Sequence, residues 1–225
     1  MILLLQYLGL AFSALLPVIN PLGSALVLLG IVGPAPNDVF RTLARKITIS
    51  TVLFLATVEL VGATILAFFG ISLPVVQLAG GLVLAAMGWG LLNEKNSSAT
   101  KEPVAADAGE GSLEEKIFYP LTFPVTAGPA CIVVTLTLSA HAAREQVHGG
   151  VMGTIWAHLG IFAGILAVSL TVLLSYTYAP KITLKISPQT VHGILRVIAF
   201  VLLCIGAQIA WNGLDTLLRS VLKPT

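Results

Sequence analysis

The segments PVINPLG at residues 17–23 and PVTAGPA at residues 124–130 interrupt two long apolar stretches of this chain. Proline lacks the amide hydrogen that a helix needs, and its ring clashes with a carbonyl group of the preceding turn. Each segment is therefore expected to divide a helix into two halves. In a bilayer the backbone groups freed by such a break find no water, so unwound backbone is tolerated only where protein or a hydrated cavity covers it.

The composition indicates that most of the chain lies in a membrane. Of its 225 residues, 56% are hydrophobic and 10% are charged, and the mean hydropathy is +0.96. About 20 apolar residues are needed to span the hydrocarbon layer. Six stretches approach or exceed this length: 3–31, 47–69, 74–92, 117–139, 151–178 and 191–218. The sequence predicts an all-α integral membrane protein with six transmembrane helices, of which the first and the fourth are broken.

A polar segment, residues 93–116, separates these helices into two sets of three. It has six acidic residues and no apolar periodicity, so it is predicted to be a flexible linker. Residues 1–92 then form a first three-helix repeat and residues 117–225 a second one, each beginning with a broken helix. LVLAAMG at 82–88 also resembles FVLLCIG at 200–206. Because each repeat has an odd number of spans, the second is expected to be inverted relative to the first.

Lysine and arginine are distributed unevenly between the two sides of this arrangement. Positive residues concentrate in cytoplasmic loops. One side has Arg41, Arg45, Lys46, Lys95, Lys101, Lys116, Lys181 and Lys185, and the other has Arg144, Arg219 and Lys223. The bias predicts a multi-pass protein of the cell inner (plasma) membrane, with the 93–116 linker in the cytoplasm and both termini outside.

Each break is expected to present two helix ends to a shared cavity. Amide groups that begin the second half-helix favour an anion such as a carboxylate, and carbonyl groups that end the first half-helix favour an ammonium group. A small zwitterion satisfies both ends. The candidate substrate-binding residues are Asn20, Gly23, Ser24, Thr126, Gly128 and, from the last helix, Gln208. The alternative for the polar side chains is that they only satisfy freed backbone groups.

Glu59 is an acidic residue inside the second predicted span, without a basic residue beside it in the sequence. Ionisable side chains at this depth are costly and are usually functional. Glu59 is therefore a candidate for coupling to H⁺ or Na⁺, or for facing a substrate ammonium group. The alternative is a neutral, hydrogen-bonded carboxylic acid. His158, in the fifth span, is interpreted as a hydrogen-bonded packing residue rather than a proton carrier.

The sequence has none of the common enzyme, metal or nucleotide motifs. G-x-S-x-G, H-E-x-x-H and a Walker loop are absent, as is a basic run interleaved with aromatic residues. We therefore expect neither an enzyme nor a nucleic-acid-binding protein, no metal site, and no cofactor other than a coupling H⁺ or Na⁺. Cys131 and Cys204 lie inside predicted helices, which favours free thiols over a disulfide.

Four short patterns together resemble the MarC family, also described as SnatA-type neutral amino acid transporters. They are I-N-P-L-G in the first helix, F-P-x-T-x-G-P-A in the fourth, F-G-I-S-L before the third and I-G-x-Q in the sixth. The resemblance implies a six-helix inner-membrane protein related to the LysE-type exporters, with glycine-like or alanine-like substrates. It places the motif positions at Asn20, Pro21, Gly23, Pro124, Thr126, Gly128 and Pro129. The family often has glycine where this chain has Ala130.

These patterns predict a secondary transporter that moves a small neutral amino acid by alternating access of the two repeats. The expected partners are this substrate and the lipid bilayer, and the sequence assigns no oligomeric state. One alternative is a small-solute or ion channel whose half-helices line a filter. Another is a membrane enzyme or assembly factor that uses Glu59 and His158.

Overall fold

The computed structural model describes residues 2–33, 35–93, 116–144, 146–185 and 188–222. Within these ranges the chain is helical and contains no strand. The elements in chain order are α1 (Ile2–Ile19), α2 (Pro21–Val32), α3 (Asn37–Phe68), α4 (Leu73–Asn93), a π-helical segment (Ile117–Thr126), α5 (Pro129–Arg144), α6 (Gln146–Lys185) and α7 (Pro188–Leu222). The predicted linker lies almost entirely outside the described residues and stays a prediction.

The described helices are long and apolar enough to cross a membrane. Five stretches meet this condition alone, and α1 with α2 counts as one of them. The π-helical segment and α5 form a further span when they are taken together, although they are bent by 66°. Large apolar side chains such as Leu60, Trp89, Leu170 and Trp211 are exposed on these helices, as lipid contact requires. The prediction of an all-α integral membrane protein is confirmed.

Helices α4 and α7 form the most extensive contact between described elements, and it depends on small residues. A Cβ atom added to Gly81 would lie 2.3 Å from the backbone nitrogen of Ala210, and one added to Gly206 would lie 2.3 Å from that of Ala85. Backbones approach this closely only where side chains are absent or very short. The two helices are therefore in direct backbone contact.

The α4/α7 contact is reciprocal. Each contact residue of α4 has an equivalent on α7 whose residue number is higher by 125. The equivalent residues are Leu78 and Leu203, Gly81 and Gly206, Ala85 and Ala210, and Gly88 and Gly213. Gly88 meets the backbone of Leu203 just as Gly213 meets that of Leu78. Residue numbers rise along α4 as they fall along α7, so the helices are antiparallel. A two-fold rotation about an axis perpendicular to both helices exchanges them.

This register corrects the sequence match between 82–88 and 200–206. That match equates Gly88 with Gly206, whereas in the structure Gly206 has the role of Gly81. The physical reason is the spacing of the glycines. They recur after seven residues in both helices, at 81 and 88 and at 206 and 213, so a shift by two helical turns preserves the similarity.

Helix α6 packs against α1, α2 and α3 and lies at the centre of the buried core. Its Gly160 faces the carbonyl oxygen of Leu4, and its Gly164 faces Ala11, so the G-x-x-x-G spacing of α6 serves contact with α1 within the chain. Side chains such as Ile161, Ile165 and Val172 are fully buried on the same helix. This arrangement positions α6 beside the first break.

Candidate functional site

The first break lies at Asn20, between α1 and α2. Asn20 has left-handed backbone angles (φ 47°, ψ 66°), and its side-chain oxygen accepts a hydrogen bond from the Gly23 amide at 3.1 Å. A Cβ atom at Gly23 would lie 2.3 Å from the Asn20 side chain. The predicted interruption of the first span is confirmed. Its amide end is capped by Asn20 itself, and Pro21 is buried as the first residue of α2.

Ser24 satisfies the carbonyl end of the same break. Its hydroxyl group donates to the Ile19 carbonyl oxygen at 2.6 Å and lies 2.8 Å from that of Asn20. The Ile19 carbonyl group ends α1 and lacks its ordinary helical partner, because the Gly23 amide donates to the Asn20 side chain instead. The Asn20 carbonyl oxygen also accepts a hydrogen bond from the Ser24 amide at 2.9 Å. The freed backbone groups of the first break are thus paired with two short polar side chains.

The second break is longer than the proline motif predicts. Two aromatic–proline–x–threonine units follow each other, YPLT at 119–122 and FPVT at 123–126, and Tyr119 and Phe123 are both extended. Thr122 donates to the Ile117 carbonyl oxygen at 2.7 Å and Thr126 to that of Leu121 at 2.6 Å. The distortion therefore begins at Tyr119 rather than Pro124. The tandem unit, rather than the proline motif at 124–130 alone, is the sequence signal of this break.

Gly128 and Pro129 complete the second break. A Cβ atom at Gly128 would lie 2.9 Å from the Pro124 carbonyl oxygen, and α5 begins at the exposed Pro129. The main chain thus folds back on itself most tightly at Gly128. The predicted interruption of the fourth span is confirmed.

The hydroxyl group of Tyr176, on α6, connects the two breaks. It lies 2.6 Å from the Thr126 hydroxyl oxygen and also interacts with the Ser24 side chain. Because Thr126 donates its hydrogen to Leu121, Tyr176 is the donor to Thr126. Tyr176 is 0% exposed. The structure therefore brings Ser24 and Thr126 together, as predicted, through a residue that the sequence did not single out.

Gln208 is not part of this cluster. Its side chain donates to Asn212 on the same helix at 2.9 Å. It lines a cavity of about 630 Å³ between α1, α5 and α7, with Thr137 and His141 among the other polar walls. No residue of either break lines this cavity. The cavity lies toward the start of α1, near Tyr7.

Glu59 is paired with His158. Its carboxylate contacts the Nδ1 atom of His158, and the Ser139 hydroxyl group donates to the Glu59 backbone carbonyl oxygen at 2.9 Å. The Glu59 side chain is 2% exposed and that of His158 is 31% exposed. The partner of Glu59 comes from a distant part of the chain, so the sequence beside Glu59 does not reveal it. The expectation that His158 is hydrogen-bonded agrees with this contact.

A substitution at Asn20 tests the first break. Asn20→Ala removes the cap and places alanine in the left-handed region, so we expect a loss of about 2 kcal/mol in the free energy of unfolding. Glycine at position 20 can adopt these backbone angles, so Asn20→Gly should lower the free energy of unfolding by roughly a few tenths of a kcal/mol. Denaturant unfolding of the purified proteins in detergent measures both. Equal stability of the two variants would contradict the assigned geometry.

Comparison with known proteins gives consistent matches over nearly the full length. The sequence model of a family described as MarC family integral membrane protein matches residues 5–218. A UPF0056 membrane protein of Pyrococcus abyssi is 27% identical over 214 residues, which cover 95% of this chain and 97% of that protein. The UPF0056 inner membrane protein MarC of Citrobacter koseri is 28% identical over 221 residues, covering 96% and 98%. No solved structure matches the chain.

Proposed function

The chain belongs to the MarC family of integral membrane proteins, and from this premise we propose that it is a secondary transporter of a small neutral amino acid. The substrate binds as a zwitterion between the half-helices of the two broken spans. The observation that carries the proposal is the meeting of both breaks at the Tyr176 hydroxyl group. Two broken helices from the two halves of a membrane protein, whose capping side chains meet at one buried point, suit a transporter site.

The bonds at the breaks suit exchange with a zwitterion. The Gly23 amide can donate its hydrogen bond to a substrate carboxylate instead of to the Asn20 side chain. The Ile19 and Leu121 carbonyl oxygens can accept hydrogen bonds from an ammonium group in place of those from Ser24 and Thr126. Each exchange requires only a rotation of a short side chain. The described arrangement thus corresponds to a closed carrier whose own side chains hold the positions of the substrate's charged groups.

The space at the breaks limits the size of the substrate. Gly128 has no room for a Cβ atom beside Pro124, and Ala127 is fully buried. A long substrate side chain would have to displace this packed backbone. We therefore propose an amino acid of the size of glycine or alanine.

The two-fold relation of α4 and α7 supports alternating access of inverted repeats. These helices are the third span of each predicted repeat, and a rotation about an axis across both helices exchanges them. In spanning helices this axis lies in the membrane plane. In a transporter built from two repeats that such an axis relates, the inward-open and outward-open states arise by equivalent rearrangements of the two repeats. The cavity that Gln208 lines would then be the access route on the outer face.

Reconstitution into proteoliposomes tests the proposed function. We expect saturable counterflow of labelled glycine or alanine, and a rise in melting temperature when either is added to purified protein. Single-channel currents without counterflow would favour a channel. Absence of both flux and stabilisation across a panel of small amino acids would overturn the proposal.

A matched pair of glycine variants tests where the substrate binds. Gly128→Leu places a side chain against Pro124 in the second break and should abolish counterflow. Gly30→Leu is the control, because a Cβ atom at this exposed position of α2 meets no other atom within 4 Å. It should transport at the rate of the unaltered protein. Equal counterflow by both variants would show that the second break is not part of the substrate path.

A further inference from the structure

We propose that Glu59 and His158 form a proton-binding site that couples transport to the proton gradient. This inference rests on the proposed function and names its coupling ion. Glu59 belongs to α3 in the first half of the chain and His158 to α6 in the second half. The pair therefore joins the two halves whose relative motion would drive transport.

The pair can bind and release one proton without another ligand. With one shared proton it is a neutral unit, either carboxylate with imidazolium or carboxylic acid with imidazole. A second proton produces a carboxylic acid beside an imidazolium ion, which removes the ion-pair attraction and adds one positive charge. That proton comes from water on one side of the membrane and returns to water on the other. Protonation thus changes the interaction between α3 and α6.

The two side chains differ in their access to the surroundings. The Glu59 carboxylate is almost completely covered, whereas about a third of the His158 side chain is accessible. The imidazole ring is therefore the more accessible member of the pair and the one through which a proton would be transferred. An imidazole in this position is suited to the transfer because its two nitrogen atoms can take up and release protons at different positions.

The ligands around Glu59 favour a proton over Na⁺. Hard cations prefer several oxygen ligands, as in sites built from carboxylates, carbonyl groups and water. The described partner of the Glu59 carboxylate is a ring nitrogen, which is itself a proton acceptor. The nearby Ser139 hydroxyl group donates to the Glu59 backbone rather than to its carboxylate. A nitrogen and a carboxylate oxygen sharing a hydrogen do not form a cage for a metal ion.

Other titratable groups on the elements packed around the pair are few. Those on α1, α2, α3, the π-helical segment, α5 and α6 with described side chains are Tyr7, Asp38, Arg41, Arg45, Lys46, Tyr119, Cys131, His141, Tyr176, Tyr178 and Lys181. Lys46 is about 20 Å from Glu59 along α3, and Lys181 about 35 Å from His158 along α6. His141 is the imidazole that follows Ser139 on α5. Its titration must therefore be separated from that of the pair.

The experiment compares gradient-driven accumulation with exchange in proteoliposomes. A pH difference of one unit should drive roughly tenfold accumulation of labelled glycine by the unaltered protein at a stoichiometry of one proton. Glu59→Gln and His158→Gln should retain counterflow but lose this accumulation. Asp215→Asn is the matched control, since Asp215 is an acid of α7 that pairs with Arg219 on the exposed surface, and it should accumulate normally. A His141→Gln variant that kept counterflow but lost accumulation would assign the proton to His141 and overturn the proposed pair.

The outcomes separate this inference from the proposed function. Normal accumulation by Glu59→Gln, or accumulation that requires a Na⁺ gradient, would overturn the proton site while leaving the transporter intact. Absence of counterflow in the unaltered protein would instead remove the proposed function. If the variants do not fold, a second measurement uses the unaltered protein. Glycine is added to this protein in weakly buffered detergent solution, and the number of protons taken up or released is measured. About one proton per protein supports the site, and none overturns it.

Discussion

Gly206→Leu should leave no folded protein. The added side chain would begin 2.3 Å from the backbone nitrogen of Ala85, so α4 and α7 would have to separate along their whole contact. Backbone atoms cannot turn aside as the end of a flexible side chain can. Even Gly206→Ala should lower the free energy of unfolding by about 1–3 kcal/mol, the usual cost of overpacking a close contact. Folded yield and melting temperature in detergent measure both variants.

The reciprocal α4/α7 contact also predicts the cost of a substitution on α4, and the same helices offer control variants. Gly81→Ala should cost the same as Gly206→Ala within a few tenths of a kcal/mol, since the two glycines have equivalent surroundings. Gly90→Ala on α4 and Gly193→Ala on α7 should not destabilise the protein, because a Cβ atom there meets nothing within 4 Å. A large cost at Gly206 with none at Gly81 would contradict the two-fold relation.

Tyr176→Phe should slow net transport roughly tenfold, the factor that corresponds to about 1.4 kcal/mol in a barrier. The variant keeps the ring but removes the hydroxyl group that joins Ser24 and Thr126. Net transport requires the empty carrier to reorient with its breaks closed, and this is the state that the hydroxyl group stabilises. Exchange proceeds through substrate-loaded states alone, so counterflow should be nearly unchanged.

Tyr178→Phe is the control for Tyr176→Phe. Tyr178 is on the same helix but exposed, so loss of its hydroxyl group should change neither rate. The Tyr176 variant should also reach the same final accumulation in a pH gradient, only more slowly, which distinguishes it from the Glu59 variants. If counterflow and net flux fell equally in Tyr176→Phe, the hydroxyl group would act on the loaded carrier, and the closed-state role would be wrong.

The spans and both breaks could be predicted because they depend on local chemistry. Proline removes a helical hydrogen bond and asparagine can adopt left-handed backbone angles, and apolar length identifies a span without reference to its neighbours. The partners within the site could not be predicted in this way. Tyr176 is 50 residues from Thr126 in the chain and His158 is 99 residues from Glu59, so only the tertiary fold brings them together.

The orientation of Gln208 shows a second limit of prediction from the sequence. In a soluble protein, polar and apolar faces of a helix indicate which side is buried. In a spanning helix both the lipid-facing and the protein-facing sides are apolar, so the sequence of α7 does not fix its rotation. The structure turns Gln208 toward Asn212 and the cavity between α1, α5 and α7 rather than toward the breaks.

The reciprocity of α4 and α7 also bears on how such a chain can arise. Each helix carries the small residues that the other one needs, so a half-length polypeptide would be complementary to an upside-down copy of itself. Such an ancestor would have to insert both ways round, and fusion of two genes would then fix one orientation for each half. A mutation at Gly81 changes the fit to Ala210 just as one at Gly206 changes the fit to Ala85, so the two halves must continue to evolve as a pair.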